Sequence, residues 1–270
     1  MKSFYLFIIL LSGLSTKLWA QHPPVFEGLI IDTVHADIHN FPLKLVKYTT
    51  ERPKVNFLAI HDNEDTGVKA AFEYMMFSGG SIVDCQYGGV RNYKFSYHDD
   101  EFQTDPNSIY TKSGIRKGLE KYGWWDRDVS KKLEETAETI LKFYSKERKP
   151  PYIFTLHNNA DGGFGISSYL KGYELEGYAD SLHINFQMDP DDLILVTDTE
   201  IFNKLKKANV NVILQSRDAP DDGSLSVYAM QHRIPYINVE VQHGHYDENL
   251  RLIEIAIKAL SETYPDLLRQ

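Results

Sequence analysis

Cysteine is nearly absent from this 270-residue chain: Cys85 is the single one, so no internal disulfide can form. Stability must then come from a packed core, which a chain of this length can build. Basic charge is also scarce, with 29 Lys and Arg against 38 Asp and Glu and a formal net charge of −9. So acidic a surface repels polyanions, and nucleic acid is not expected as a partner. Beyond the first twenty residues no apolar run is long enough to cross a bilayer, so no stable membrane span is expected. No Pro- or Ser-rich linker, internal repeat or low-complexity tract divides the chain. Residues 21–270 therefore read as one domain.

What the N-terminus does contain is Lys2, an apolar stretch from Phe4 to Leu14, and Ala20 before Gln21. Those are the parts of a secretory signal peptide over residues 1–20, which predicts export to a periplasmic or secreted location. Without Lys2 and Lys17 the 29 basic residues become 27 against 38 acidic, a formal charge of −11. Gln21, not a cysteine, stands directly after the expected cleavage point, so a lipid anchor is not expected.

Downstream, apolar strand-like runs alternate with amphipathic helical patterns. Val55 to Ile60, Ser81 to Gln86, Tyr152 to His157, Asp192 to Thr197, Val210 to Gln215 and Pro235 to Val241 read as strands. Thr66 to Phe77, Gly114 to Tyr122, a long segment capped by Asp126 or Asp128 and running to about Glu147, Glu200 to Ala208, Leu225 to Gln231 and Glu248 to Thr263 read as helices. This alternation predicts an α/β fold: a single domain with a mixed, mainly parallel sheet and helices on both faces. Phe26 to Tyr48 reads as an edge strand or hairpin. His35, Asp37 and His39 at every second position read as the solvated face of that strand. Tyr87 to Tyr97 reads as a turn and an exposed strand, and Phe102 to Thr111 as a connector rich in turn formers. Ile166 to Phe186 matches no pattern; a hairpin walling a cleft is one reading.

Three of the strands end in chemistry. Phe57-Leu-Ala-Ile-His61 stops at a histidine, with Glu64 three residues on; Tyr152-Ile-Phe-Thr-Leu-His157 stops at another; Pro235-Tyr-Ile-Asn-Val-Glu240 stops at a carboxylate. Carboxyl ends of strands in open α/β sheets are where ligands and reacting groups gather. Two imidazoles and one carboxylate from His61, Glu64 and His157 suit a single zinc ion with a fourth position left for water. Glu240 is then the candidate proton acceptor, since a glutamate in an apolar strand is costly unless paired or functional. Taken singly, each residue has a plainer role: a structural histidine, a dipole-favoured residue at a helix start for Glu64, or a partner of a buried arginine or His243 for Glu240.

The segment Ala59-Ile-His-Asp-Asn-Glu-Asp-Thr-Gly67 resembles the His-x-x-Glu metal motif of the zinc carboxypeptidase superfamily, especially its aspartoacylase and succinylglutamate desuccinylase-like branch. Phe154-Thr-Leu-His-Asn-Asn-Ala160 and the strand ending in Glu240 are similar to motifs of zinc N-acetylmuramoyl-alanine amidases. The resemblance implies His61, Glu64 and His157 as zinc ligands, Glu240 as general base and acid, and Arg91 as the arginine that stabilises the oxyanion. It also implies Asn107 as a substrate-binding residue. Ser108 stands where the family places a carboxylate-binding arginine, with Arg116 the nearest substitute. Serine offers one neutral donor in place of a charged fork, which alters substrate choice more than hydrolysis. The implied activity is hydrolysis of peptide-type amide bonds in a peptide or cell-envelope substrate. The alternatives are an N-acyl amino acid deacylase, a muramoyl-alanine amidase, or a non-catalytic metal- or peptide-binding protein on the same fold.

Overall fold

The computed structural model describes residues 25–52, 54–146 and 150–268, so the expected signal peptide, residues 1–20, lies outside the described residues. The chain opens with a hairpin of β1 (Ile30–His35) and β2 (Lys44–Thr49), antiparallel and in register from Ile30 against Thr49 to His35 against Lys44. β3 (Asn56–Ala59), α1 (Asp65–Ser78) and β4 (Ser81–Gln86) then form a parallel β-α-β unit. A second hairpin, β5 (Tyr93–Tyr97) with β6 (Asp100–Thr104), makes a separate two-stranded sheet. After a 3-10 turn at Pro106–Ser108 come α2 (Lys112–Tyr122), α3 (Arg127–Ser145) and β7 (Ile153–Asn159). A short 3-10 turn at Ile166–Tyr169 precedes β8 (Ala179–His183), and the chain finishes as β9 (Leu193–Val196), α4 (Thr199–Lys207), β10 (Val212–Gln215), α5 (Leu225–His232), β11 (Tyr236–Gln242) and α6 (Tyr246–Thr263).

Among the described residues, nine strands make one sheet in the order β1-β2-β4-β3-β7-β11-β9-β10-β8. Its centre, β4-β3-β7-β11, is parallel, and antiparallel neighbours flank it on both sides. Strand alternation sorts side chains between two cores. One core joins Ile153 and Tyr236 to α2, α3 and α5 through Ile115, Leu133 and Leu225. The other joins Phe154, Ile237 and Val239 to α1, α4 and α6 through Val68, Ile201 and Leu252. A single α/β domain with helices on both faces is therefore what forms, with a mixed sheet whose parallel part is central.

Three local readings need correcting. β5 is not an exposed strand: Tyr93 and Phe95 are buried, because β6 and the α2 layer cover them. β6 occupies residues assigned in part to the turn-rich connector. His35, Asp37 and His39 do not share a strand face. β1 ends at His35, Asp37 accepts from the Leu43 N–H, and His39 sits at φ 53° with its ring 4.2 Å from that of Tyr97.

On β2, Lys47 is buried and its ammonium donates to the Tyr144 carbonyl at 2.7 Å. Burial, aided by Lys146, lowers its pKa from 10.5 to about 8. Between those values the unfolded chain binds more protons than the native one, so this group makes stability rise with pH across the window, and its cost is complete below about 8. Lys47→Met is expected to raise the melting temperature at pH 7, with the gap over wild type closing as pH passes 8 and vanishing above 10.5. Parallel melting curves from pH 7 to 11 check this; a gap that widened with pH would reverse the sign.

Candidate metal centre

Register builds the site before any side chain is considered. β7 and β11 are parallel neighbours with His157 opposite Glu240, and Thr155 and His157 project to the same side as Ile153, the face covered by α2, α3 and α5. β3 lies on the other side of β7, with Leu58 opposite Thr155, so the turn that follows β3 arrives next to His157. In that turn the Glu64 N–H donates to the His61 carbonyl at 3.2 Å, and Glu64 occupies the N-cap position of α1.

His61, Glu64 and His157 are all buried. Nδ1 of His61 is 3.0 Å from Nδ1 of His157 and 3.2 Å from Glu64 Oε1, and His157 Nδ1 is 2.9 Å from Glu64 Oε2. Ligands about 2.0–2.1 Å from a tetrahedral zinc are separated by roughly 3.3 Å. The three distances are slightly shorter than that, and Glu64 meets the two imidazoles through different oxygens of its carboxylate. His61 donates from Nε2 to Asp105 Oδ1 at 2.9 Å, so Nδ1 is the nitrogen that faces His157 and Glu64 and presents its lone pair to them once it is deprotonated. Lone pairs and a carboxylate facing one another at 3 Å require a proton or a cation among them. Two imidazole nitrogens and a carboxylate oxygen are zinc's usual donors, so the residues fit that ion.

The electrostatics agree with a cation-binding cluster. Burial acts to lower the His61 pKa, but Glu64 and Asp105 outweigh it and lift the value to about 9. Burial acts to raise Glu64, yet His61 and His157 hold it well below the usual carboxylate range. Asp105 is likewise held near 2, against its own burial, by His61 and Arg91. The Arg91 guanidinium contacts Glu64 closely through Nη1 and lies 3.5 Å from Asp105 through Nη2. Glu240 is buried beside the cluster and accepts from Asn238 Nδ2 at 3.1 Å; burial pushes its pKa up, opposed by His157 and reinforced by Glu64.

A cavity of about 710 Å³ opens onto this cluster. His61, Glu64, His157, Glu240, Arg91 and Asn107 all line it, as does His243. Arg116 does not. It lies on the outer face of α2, opposite buried Ile115 and Leu119, with Nε bonded to Glu120 at 2.8 Å and its guanidinium over Trp125. Arg116 therefore does not take the place that Ser108 leaves. Asn107 is engaged as well, its Oδ1 accepting from the Leu225 N–H at 3.0 Å.

Sequence reasoning missed Asp105. Its signal was present: a buried ligand histidine needs an acceptor for its second nitrogen, and Asp105 begins a turn whose Asn107 N–H it caps at 2.8 Å. Asp105→Ala strips that acceptor, and zinc affinity is expected to fall about 10–100-fold. Competition with a chromophoric chelator measures it; a change under about twofold would deny Asp105 an orienting role.

No protein-family model matches the chain, and no curated protein matches it in sequence. Similar solved structures include bovine thrombin-activatable fibrinolysis inhibitor in complex with tick carboxypeptidase inhibitor (TM-score 0.43, 8% identity, 87% of this chain and 90% of that one). Another is succinylglutamate desuccinylase/aspartoacylase from Rhodobacter sphaeroides (0.39, 10%, 88% and 66%). A third is the murein-tripeptide amidase MpaA from Escherichia coli O157 (0.38, 12%, 88% and 93%).

Proposed function

We propose that this chain is an exported, zinc-dependent hydrolase of peptide-type amide bonds. The observation that carries the reading is the convergence of three buried residues, with the Nδ1 atoms of His61 and His157 3.0 Å apart and one Glu64 carboxylate oxygen within 2.9–3.2 Å of each, beside a fourth buried residue, Glu240, that can move a proton. A zinc ion held by His61, Glu64 and His157 would polarise a carbonyl and lower the pKa of water to about 7. Glu240 accepts the proton released as water adds to the carbonyl carbon and returns it to the amine nitrogen as the C–N bond breaks. Its burial suits both halves of that task, because a carboxylate with raised proton affinity takes a proton more readily than an exposed one. Arg91, at the cavity wall, presents a fixed positive charge to the carbonyl oxygen as negative charge develops there. Asp105 orients His61.

Elemental analysis of the protein lacking residues 1–20 tests the reading. The expected result is about one zinc per chain, lost in both His61→Ala and His157→Ala, together with zinc-dependent cleavage in a panel of peptides and N-acyl amino acids. Failure to take up metal after zinc is supplied would remove this mechanism and favour a binding protein on the same fold. Export is tested separately, by whether a reporter fused after residue 20 leaves the cytoplasm.

A further inference from the structure

Beyond the metal cluster, the cavity is lined by residues of three neighbouring strands: Leu195 on β9, Gln215 at the end of β10, and Tyr236 with Asn238 on β11. Most of its polar groups are already satisfied. Tyr236 Oη is 2.7 Å from Thr155 Oγ1, and Asn238 accepts from that Thr155 hydroxyl at 3.1 Å while donating to Glu240. Gln215 differs. It is 2% exposed, it lines the cavity, and its Nε2 has no hydrogen-bond partner among the described residues. A buried amide donor left bare is costly, and such groups in native proteins are normally paired. The sheet register shifts at Leu214/Gln215, where β10 meets β8, so the ladder is irregular where this side chain sits.

Asp222 lines the same cavity. Its Oδ1 accepts from the Ser224 N–H at 2.9 Å, and no cation pairs with its carboxylate among the described residues. The two residues make different demands on an occupant. A carboxylate would serve the Gln215 donor but meet the Asp222 charge. An ammonium would suit Asp222 and leave the Gln215 donor bare, and a hydrocarbon would satisfy neither. A group that both accepts and donates meets both demands, and a carboxamide pairs with a glutamine amide whichever way that amide is turned.

We infer that Gln215 sets the side-chain preference of this cavity, and that the substrate group entering it ends in a neutral function that both donates and accepts hydrogen bonds, as a carboxamide does. The inference rests on the hydrolase reading for its meaning but not for its test. Sites built around a buried hydrogen-bonding group reject analogues that leave it unpaired far more strongly than apolar pockets reject size variants.

The probes are the N-acetyl α-amides of glutamine, norleucine and glutamic acid, which differ in their side chains. Each is titrated into zinc-supplemented wild-type protein and into Gln215→Leu, with binding followed by chemical-shift changes. The glutamine derivative is expected to bind wild type about tenfold or more tightly than either of the others, and Gln215→Leu to turn the preference toward norleucine. Equal or tighter binding of norleucine by wild type, binding of none of the three, or a ratio unchanged in Gln215→Leu overturns the inference. Melting curves and zinc content confirm that the variant is folded; if it is not, the wild-type ratio decides alone. Peptides carrying the same three residues beside the bond separate the two readings. Selective binding without any cleavage removes only the hydrolase, and cleavage without selectivity removes only the role of Gln215.

Discussion

Glu240→Gln is expected to keep its zinc and lose hydrolysis by about 10²–10⁴-fold in kcat/KM, on any amide that the wild type cleaves. Glutamine has the shape of glutamate and fits the same buried position on β11, so the fold and the candidate metal-binding residues, His61 and Glu64 in the turn between β3 and α1 and His157 on β7, are left as they are. It cannot take a proton from water at any pH of interest. The loss therefore falls on kcat, with zinc stoichiometry as the internal control. Glu240 is also the residue that separates an enzyme from a binding protein, since holding metal or peptide requires no proton acceptor at this place. Activity within threefold of wild type would mean that another group moves the proton, and the mechanism proposed for Glu240 would fall.

Why Glu240 stood out in the sequence, while Asp105 did not, is a matter of how each is carried. Glu240, His157 and His61 end or interrupt apolar runs in buried parallel strands, where every polar residue is conspicuous, and the α/β alternation itself locates the carboxyl ends of those strands. Asp105 arrives by a different route. It follows a hairpin, β5–β6, whose second strand reads Asp100-Glu-Phe-Gln-Thr104 and is polar enough to pass for a loop. Its contact with His61 spans 44 residues of chain and depends on tertiary packing alone. Arg116 failed for the opposite reason. The helix was correctly placed, but its buried stripe is Gly114, Ile115, Gly118 and Leu119, and that periodicity turns residue 116 outward. The stretch from Ile166 to Phe186 stayed illegible because it holds one short 3-10 turn and an edge strand, β8, with one antiparallel neighbour and no fully buried residue. Tyr169 and Tyr178, which wall the cavity, come from that region.

Gly223→Ala and Gly114→Ala are expected to cost about 3 kcal/mol or more each, through an overpacked contact between backbones. A methyl at residue 114 would lie 2.0 Å from the Gly223 Cα, and one at residue 223 would lie 2.3 Å from the Ser108 carbonyl oxygen, in a backbone already at φ +83°. Neither neighbour is a flexible side chain that can move aside. For a domain of this size that loss is a fall of about 6–12 °C in melting temperature. The contact matters to function because it joins three pieces of the cavity wall. The Gly223 carbonyl accepts from the Tyr110 N–H at 3.0 Å, Thr111 Oγ1 donates to Asp221 at 2.5 Å, and Asn107 holds the Leu225 N–H. Displacing the loop moves Asp222 and Ser224 away from Asn107 while β3, α1 and β7 keep the metal cluster in place. In whichever variant remains folded, KM should rise and zinc content should stay near wild type. A melting shift under about 2 °C, or zinc lost in step with substrate binding, would show that this loop is not the independent wall described here.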